Sequence, residues 1–474
     1  MPIKTKIIAT VSSLNCSPAF IDRLHKAGMT VVRLNTAHMS HDDALKVVRA
    51  VRQVSEKIGI LLDTKGPEIR TCDMAAPLSV KVGDTLRVKG SPGEESRGDV
   101  ICVSYKDFAK DVPVGSSIMI DDGLIALAVI DKDDDHLICA VENDGVIKGR
   151  KSVNIPSVHV RLPALSEKDK AFIGFAADND LDVIAHSFVR NREDVIAVQR
   201  ILDEKRSPIK IIAKIENFQG VSHIDDILEV AYGVMIARGD LAVEIPTERI
   251  PLIQKRIIRK CIERRRPVIV ATQMLHSMIE SPRPTRAEVS DVANACLDHA
   301  DALMLSGETA SGKYPEVTVR TMAKVIEAVE DTDEGYIEIP YRQEHRITAY
   351  LAKAAVKAAL RLGTKAIVAD SVSGKSILAL SAYRGLNPIY AQVYDKRVMR
   401  RLSLSFGVFA DYLDMDLHST EPLSRANCRL LDERHLADDD LIIVLAGSFG
   451  AESGASYIEI ATAAMLKKKC VVSR

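Results

Sequence analysis

Eight short apolar runs, each followed by a longer stretch with apolar residues three and four apart, dominate the first two thirds of this 474-residue chain. The runs fall at residues 6–11, 31–34, 60–63, 183–186, 210–215, 233–237, 268–271 and 302–305. Amphipathic patterns such as 42–58, 248–266 and 285–297 follow them. Strand-then-helix units repeated eight times are the signature of a closed (β/α)8 barrel. Polar and charged residues cluster just after the strands, on the rim where such barrels carry their active sites.

Between residues 72 and 156 the rhythm breaks. Short alternating runs, such as Ile118-Met119-Ile120 and residues 124–130, are punctuated by Pro92-Gly93 and Asp121-Asp122-Gly123. This predicts a small β-barrel inserted after the third barrel strand, placed to act as a lid because it leaves the catalytic rim. Beyond about residue 330, a helical pattern at 348–362 leads into apolar runs at 366–369, 388–391 and 441–445. The expected fold class is therefore α/β: a (β/α)8 TIM barrel (1–71 and 157–335), an inserted small β-barrel lid domain (72–156) and a C-terminal α/β domain (336–474).

Composition narrows the partners. Net charge is −1, so no global field draws nucleic acid or an anionic membrane, and an anionic ligand must be held by local positive charge. Trp is absent and aromatics are 4%, leaving few platforms for stacked bases. The 8 Cys show neither zinc-ligand nor redox-pair spacing and read as free thiols of a reducing compartment. The opening run Ile7-Ile8-Ala9-Thr10-Val11 lacks a signal-peptide layout, and no apolar run approaches bilayer length. A cytoplasmic protein is expected.

The chemistry concentrates at strand ends. Lys210-Ile211-Ile212-Ala213-Lys214-Ile215-Glu216-Asn217 is a strand ending in a cation and an anion two residues apart. A period of two puts Lys214 and Glu216 on one side, aimed at the rim. The next strand ends Ala237-Arg238-Gly239-Asp240-Leu241, so Glu216 and Asp240 are placed to share one hard cation such as Mg2+. Taken singly, each of these residues reads as part of a rim salt-bridge network. Arg33 ends the second strand, and Arg70 closes Asp63-Thr64-Lys65-Gly66-Pro67-Glu68-Ile69-Arg70 after the third. Cations facing a bound metal suit a phosphoryl group in transfer. Thr272 follows the seventh strand at an expected helix start, offering a hydroxyl and N–H groups to a carboxylate, or a cap to the helix. Ser306-Gly307-Glu308 closes the eighth strand, its Ser a proton relay or a cap.

These segments, with Pro284-Thr285-Arg286-Ala287-Glu288 and Lys151-Ser152-Val153-Asn154-Ile155-Pro156, closely resemble the pyruvate kinase family over residues 3 to about 330 and more weakly beyond. The resemblance implies a glycolytic phosphotransferase making pyruvate and ATP from phosphoenolpyruvate and ADP. It implies Lys214 at the phosphoryl group, Glu216 and Asp240 on Mg2+ (or Mn2+), and Gly239 and Thr272 at the carboxylate. Arg33 would grip the phosphate, and Asn35, His38, Arg70 and Lys151 would serve the nucleotide. K+ would sit by Asn35, Asp63 and Thr64. A homotetramer with a regulatory C-terminal domain is also implied.

Three departures stand out. Thr36-Ala37 replaces the family's usual aromatic-Ser pair, which removes one hydroxyl ligand from K+, while Glu68 is retained. Ser152 and Ser157 replace common glycines near the lid hinge. The loop Ala369-Asp370-Ser371-Val372-Ser373-Gly374-Lys375-Ser376 matches a relaxed P-loop without its first Gly. Ser371, Ser373, Gly374, Lys375 and Ser376 are expected to take one phosphate of a sugar-phosphate effector, whereas Glu452 in the loop at 447–454 would repel a second. Two rival readings share the barrel: a Mg2+-dependent enolate-forming lyase, which needs neither Lys151 nor Lys214, and a non-catalytic metabolite sensor, against which the complete set Lys214, Glu216, Asp240 and Thr272 speaks.

Overall fold

The computed structural model describes residues 2–156, 158–332, 335–340, 346–414, 434, 436–447 and 454–472. Strands Lys6–Thr10, Met29–Asn35, Gly59–Asp63, Val183–His186, Lys210–Ile215, Gly233–Ala237, Val268–Ala271 and Ala302–Leu305 close into a parallel barrel in chain order. The last five coincide with the sequence expectation residue for residue. Apolar runs buried on both faces have few ways to be misread. The first helix after the second strand, His41–Val54, starts on a Ser40/Asp43 capping box and buries Ala44, Val47, Val48 and Val51. It stops four residues before the expected 58, where Ser55 turns extended.

Pleat parity carries the argument from core to rim. Ile8, Val31, Leu61, Val183, Ala185, Ile212, Met235, Ile269 and Met304 fill the barrel interior as one buried cluster. Residues two further along the same strands point the same way. They are Thr10, Arg33, Asp63, Ser187 and Lys214, and they form a polar layer directly above the apolar one. The chain thus changes from apolar to charged within one step of the pleat.

The insert forms the small β-barrel expected. Its strands form one six-stranded sheet, Val100–Val103 to Val153–Asn154, plus a two-stranded ribbon of Leu78–Val80 with Gly145–Ile147, and residues 69–72 bridge the two end strands so that the sheet rolls into a small barrel. Bridges Arg70↔Ser152 and Thr71↔Val103 tie it to its own stalk, and Val88, Ile101, Phe108, Ile118, Leu127 and Leu137 fill its separate core.

The C-terminal unit is a five-stranded sheet in which only the last strand, Tyr457–Thr462, is antiparallel. That strand and Val408–Tyr412 carry no clean apolar run, and sequence reading does not find them. The unit is welded to the base of the barrel. Arg384, only 2% exposed, donates to Asp301 Oδ2 at 2.6 Å and to the carbonyl of His299 at 3.1 Å. Asp301 also accepts from Phe406 N and Val268 N. Arg400 pairs with Asp182, and Leu404 joins the barrel's own apolar cluster. No helix among the described residues is long and apolar enough to cross a membrane.

Candidate active site

Asp63 is the hub of the rim. Its Oδ1 accepts from Lys214 Nζ at 3.0 Å, and its Oδ2 from Arg33 Nε at 2.7 Å. Arg33 Nη1 reaches Thr10 Oγ1 at 3.0 Å. Lys214 Nζ also donates to Glu216 Oε1 at 2.9 Å and to Ser187 Oγ at 2.6 Å, so all three ammonium protons have acceptors. Only 7% of Lys214 is exposed.

Burial works against this charged cluster, and the neighbours decide the outcome. Desolvation alone would lift Asp63, yet Lys214 and Arg33 outweigh it and keep the carboxyl below its ordinary range. Desolvation alone would lower Lys214, yet Asp63 and Glu216 outweigh it and raise the ammonium further. Glu216 goes the other way: burial raises it, Lys214 opposes, and the nearby Asp240 adds to the rise. Burial raises Asp240 too, helped by Asp122 and Glu68.

These two carboxyls are the electrostatic misfits of the rim. A hard divalent cation would relieve both, and two carboxylates completed by substrate oxygens and water suit Mg2+. Among the described residues no group of three or more His, Cys, Asp or Glu side chains forms a closed metal cage. A cation held here would keep open positions for substrate.

The turn after the third strand is fixed by a helix cap. Asp169 closes a capping box with Ser166 and also accepts from Lys65 N at 3.0 Å and Gly66 N at 3.3 Å. Gly66 has φ +74°, and a Cβ there would lie 2.8 Å from Ser187 Cβ. Only glycine fits.

The expected helix start at Thr272 is not there. Thr272 and Gln273 both have positive φ, 70° and 54°, and the next helical turn is His276–Ile279. A β-branched residue in the left-handed region is strained, and strain of this kind gathers at functional sites. Partners hold Thr272 in place. Its Oγ1 donates to the Ala271 carbonyl at 2.6 Å and accepts from Gly239 N at 2.8 Å, while Arg238 Nη2 takes its carbonyl at 2.9 Å. Arg238 in turn is forked onto Asp291 at 2.6 and 2.7 Å. Gly239 and Asp240 lie in the first turn of the short helix Arg238–Glu244. Ser306 donates its N–H to Glu308 Oε2 at 2.7 Å, and its side chain makes no cap bond. The capping alternative for Ser306 therefore falls.

The remaining expected residues spread around the rim. Asn35 Oδ1 accepts from Ala37 N at 3.2 Å, and Thr36 Oγ1 donates to the Asp63 carbonyl at 2.8 Å. The Thr64 carbonyl and hydroxyl both face Ser187, at 2.6 and 3.1 Å. His38 is exposed at the end of the short helix Thr36–His38. Arg70 binds Glu68 at 2.8 Å and the Arg150 carbonyl at 2.6 Å. Lys151 pairs with Asp121 at 2.9 Å in the lid's tight turn, where Asp121 and Asp122 have φ 56° and 55°. The charge of Asp122 in this turn acts on Asp240 and adds to the rise of its carboxyl.

Sequence reading missed Ser187, Thr10 and Asp291. Ser187 was within reach, because parity continues from Val183 and Ala185. Asp291 gave no signal, since its partner lies 53 residues away.

In the C-terminal unit, Ser371 Oγ accepts from Gly374 N at 2.9 Å and Ser373 Oγ from Lys375 N at 3.5 Å. Ser376 Oγ reaches the Asp370 carbonyl at 3.5 Å. Residues 448–453, including Glu452, and Ser157 lie outside the described residues.

Comparison with known proteins agrees with this geometry. The pyruvate kinase barrel domain matches residues 3–319, and the pyruvate kinase alpha/beta domain matches residues 350–461. The pyruvate kinase of Borreliella burgdorferi is 44% identical over 464 residues, covering 97% of each chain. That of Bacillus licheniformis is 42% identical over 96% of this chain and 79% of its own. A crystal structure of a pyruvate kinase from Cryptosporidium parvum superposes with a TM-score of 0.90 at 35% identity, covering 97% of this chain and 96% of that one. The chain belongs to the pyruvate kinase family.

Proposed function

Taking that membership as premise, we propose that this enzyme passes the phosphoryl group of phosphoenolpyruvate to ADP through the rim just described. The observation that carries the reading is Lys214: a buried ammonium, kept charged by Asp63 and Glu216 and seated at a strand end. Arg33 and Lys214 grip the phosphoryl oxygens and offset their charge during transfer. Thr272, braced by Ala271 and Gly239, seats the substrate carboxylate and orients the reacting carbon. Glu216 and Asp240 would hold Mg2+ or Mn2+, which when bound supplies Lewis-acid stabilisation of the enolate oxygen.

Asn35, His38, Arg70 and Lys151 serve the nucleotide, with the lid at 72–156 between barrel segments 1–71 and 157–335. Asn35, Asp63 and Thr64 serve K+, one ligand poorer for Ala37. The unit at 336–474 is regulatory, with a phosphorylated effector at Ser371, Ser373, Gly374, Lys375 and Ser376. The enzyme works as a cytoplasmic homotetramer. The test is ATP formation from phosphoenolpyruvate and ADP, with and without Mg2+ and K+. Metal-dependent turnover is expected, and turnover that survives full removal of divalent cations would overturn the reading.

A further inference from the structure

Two residues on adjacent barrel strands stand back to back with the rim. Asp63 lies opposite Ala185 in the register, so Thr64 lies beside His186. By parity these two follow Leu62 and Ile184, which pack outward with the helices, and not Leu61 and Ala185, which fill the barrel. His186 is thus outside the barrel wall, and only 1% of it is exposed. The rim network reaches as far as Ser187 and Thr64, and His186 joins it from behind.

Hydrogen bonding fixes which way each proton points. Lys214 Nζ donates to Ser187 Oγ at 2.6 Å, and the Ser187 hydroxyl donates to the Thr64 carbonyl at 2.6 Å, since a carbonyl can only accept. Ser187 N donates to Thr64 Oγ1 at 3.1 Å. Thr64 Oγ1 accepts there, so its own proton needs another acceptor. Among the described residues the acceptor it meets is His186 Nδ1, at 3.4 Å. His186 then has a bare Nδ1 and a proton on Nε2, which is a neutral ring. Burial, opposed by Asp194 and Asp169, lowers its pKa to about 4, in agreement. Nε2 is buried and has no hydrogen-bond partner among the described residues. Asp169 is engaged by Lys65 N, Gly66 N and Ser166, and Asp194 by Arg190. A buried donor left open lowers stability, so an apolar side chain of similar size would pack better here. Packing therefore does not account for the ring, whereas its bond to Thr64 does.

We propose that His186 is a positioning residue for Lys214: its Nδ1 holds the Thr64 hydroxyl, Thr64 holds Ser187, and Ser187 holds the direction of the lysine ammonium. The chain of bonds crosses the barrel wall from the helix side to the rim. Asp63 and Glu216 keep Lys214 charged and in place without it. What His186 adds is orientation, and a preoriented cation stabilises charge in the transition state more than it tightens substrate binding.

The proposal rests on the phosphoryl-transfer reading of the rim, so one test uses turnover and one does not. Nitrogen NMR spectra of the full-length enzyme carrying isotope-labelled histidine, assigned with His186→Asn, read the ring directly. A neutral ring protonated on Nε2 is expected at neutral pH. A proton on Nδ1, in a neutral or a charged ring, overturns the proposal whether or not the enzyme turns over. In the assay, His186→Leu should lower kcat about tenfold, as loss of one hydrogen bond allows, with KM for phosphoenolpyruvate and for ADP within about twofold. Its urea midpoint should stay at the wild-type value. His186→Asn, whose Oδ1 can accept in place of Nδ1, should recover most of the loss. Thr64→Val keeps the carbonyl and removes the hydroxyl, and on that background His186→Leu should have no further effect. A kcat within about twofold of wild type in His186→Leu overturns the positioning role. So does a loss that Asn does not recover, or one that adds in full to that of Thr64→Val, because either makes His186 a packing residue. No ATP formation by the wild type overturns the phosphoryl-transfer reading and this role together, whereas turnover that His186→Leu leaves intact overturns this role alone.

Discussion

The strand Lys210–Ile215 presents a lysine at each of two depths, and their surroundings are opposite. At the rim, Lys214 is enclosed by Asp63, Glu216 and Ser187 within 3.0 Å. At the base, Lys210 is half-buried among Arg401, Arg266 and Lys375. The first cation is pre-paired and locked in direction, so little reorganisation is left for the moment of reaction. The second is held below the ordinary lysine range, by burial first and then by the fields of those cations. Position along the strand is not what separates them. The difference comes from which elements the fold brings alongside.

The largest test of this contrast acts at the rim. Lys214→Met should lower turnover on the order of 10³-fold, with folding intact by circular dichroism. A loss under tenfold would break the idea that the pre-paired cation carries the chemistry. Next is a buried pair at the base. Arg384→Met strands Asp301 and should destabilise the enzyme by about 3–5 kcal/mol, read by urea denaturation. A change below about 1 kcal/mol would mean that this pair does not weld the domains.

The third test sharpens the rim's own asymmetry. Glu216 is raised by burial while Asp63 is lowered by its two cations. A proton on Glu216 competes with a metal ion, so Mn2+ affinity should rise with pH, by up to about tenfold per pH unit while the carboxyl is protonated. The sign for stability is the reverse. A carboxyl raised in the fold binds its proton more tightly there, so this group's contribution in the metal-free enzyme is present at low pH and lost as pH rises. A pH-independent Mn2+ titration would place the metal elsewhere. The smallest effect belongs to an exposed pair. Asp178→Asn, which frees Lys205 from a 2.7 Å contact, should change stability by about 1 kcal/mol or less.

Much of this was legible before any coordinates. Lys214 and Glu216 follow from a period of two on a recognisable strand, and the same parity reaches Arg33 and Asp63 from Val31 and Leu61. The errors fall where local pattern is silent. Residues 271–275 read as a helix start because Thr is a good cap, but Glu308 takes the Leu275 N–H at 3.3 Å and Arg238 the Thr272 carbonyl. Those partners hold Thr272 and Gln273 at positive φ.

By itself, the sequence determined the eight barrel strands, the break for the insert and the set of rim residues. Each of these rests on burial and pleat, which are encoded within a few neighbouring positions. Only the tertiary structure decided who partners whom: Asp63 between Arg33 and Lys214, Arg238 on Asp291, and Arg384 on Asp301. Coulomb energy and desolvation depend on separations of a few ångströms. Packing sets those separations between residues that are tens or hundreds of positions apart in the chain.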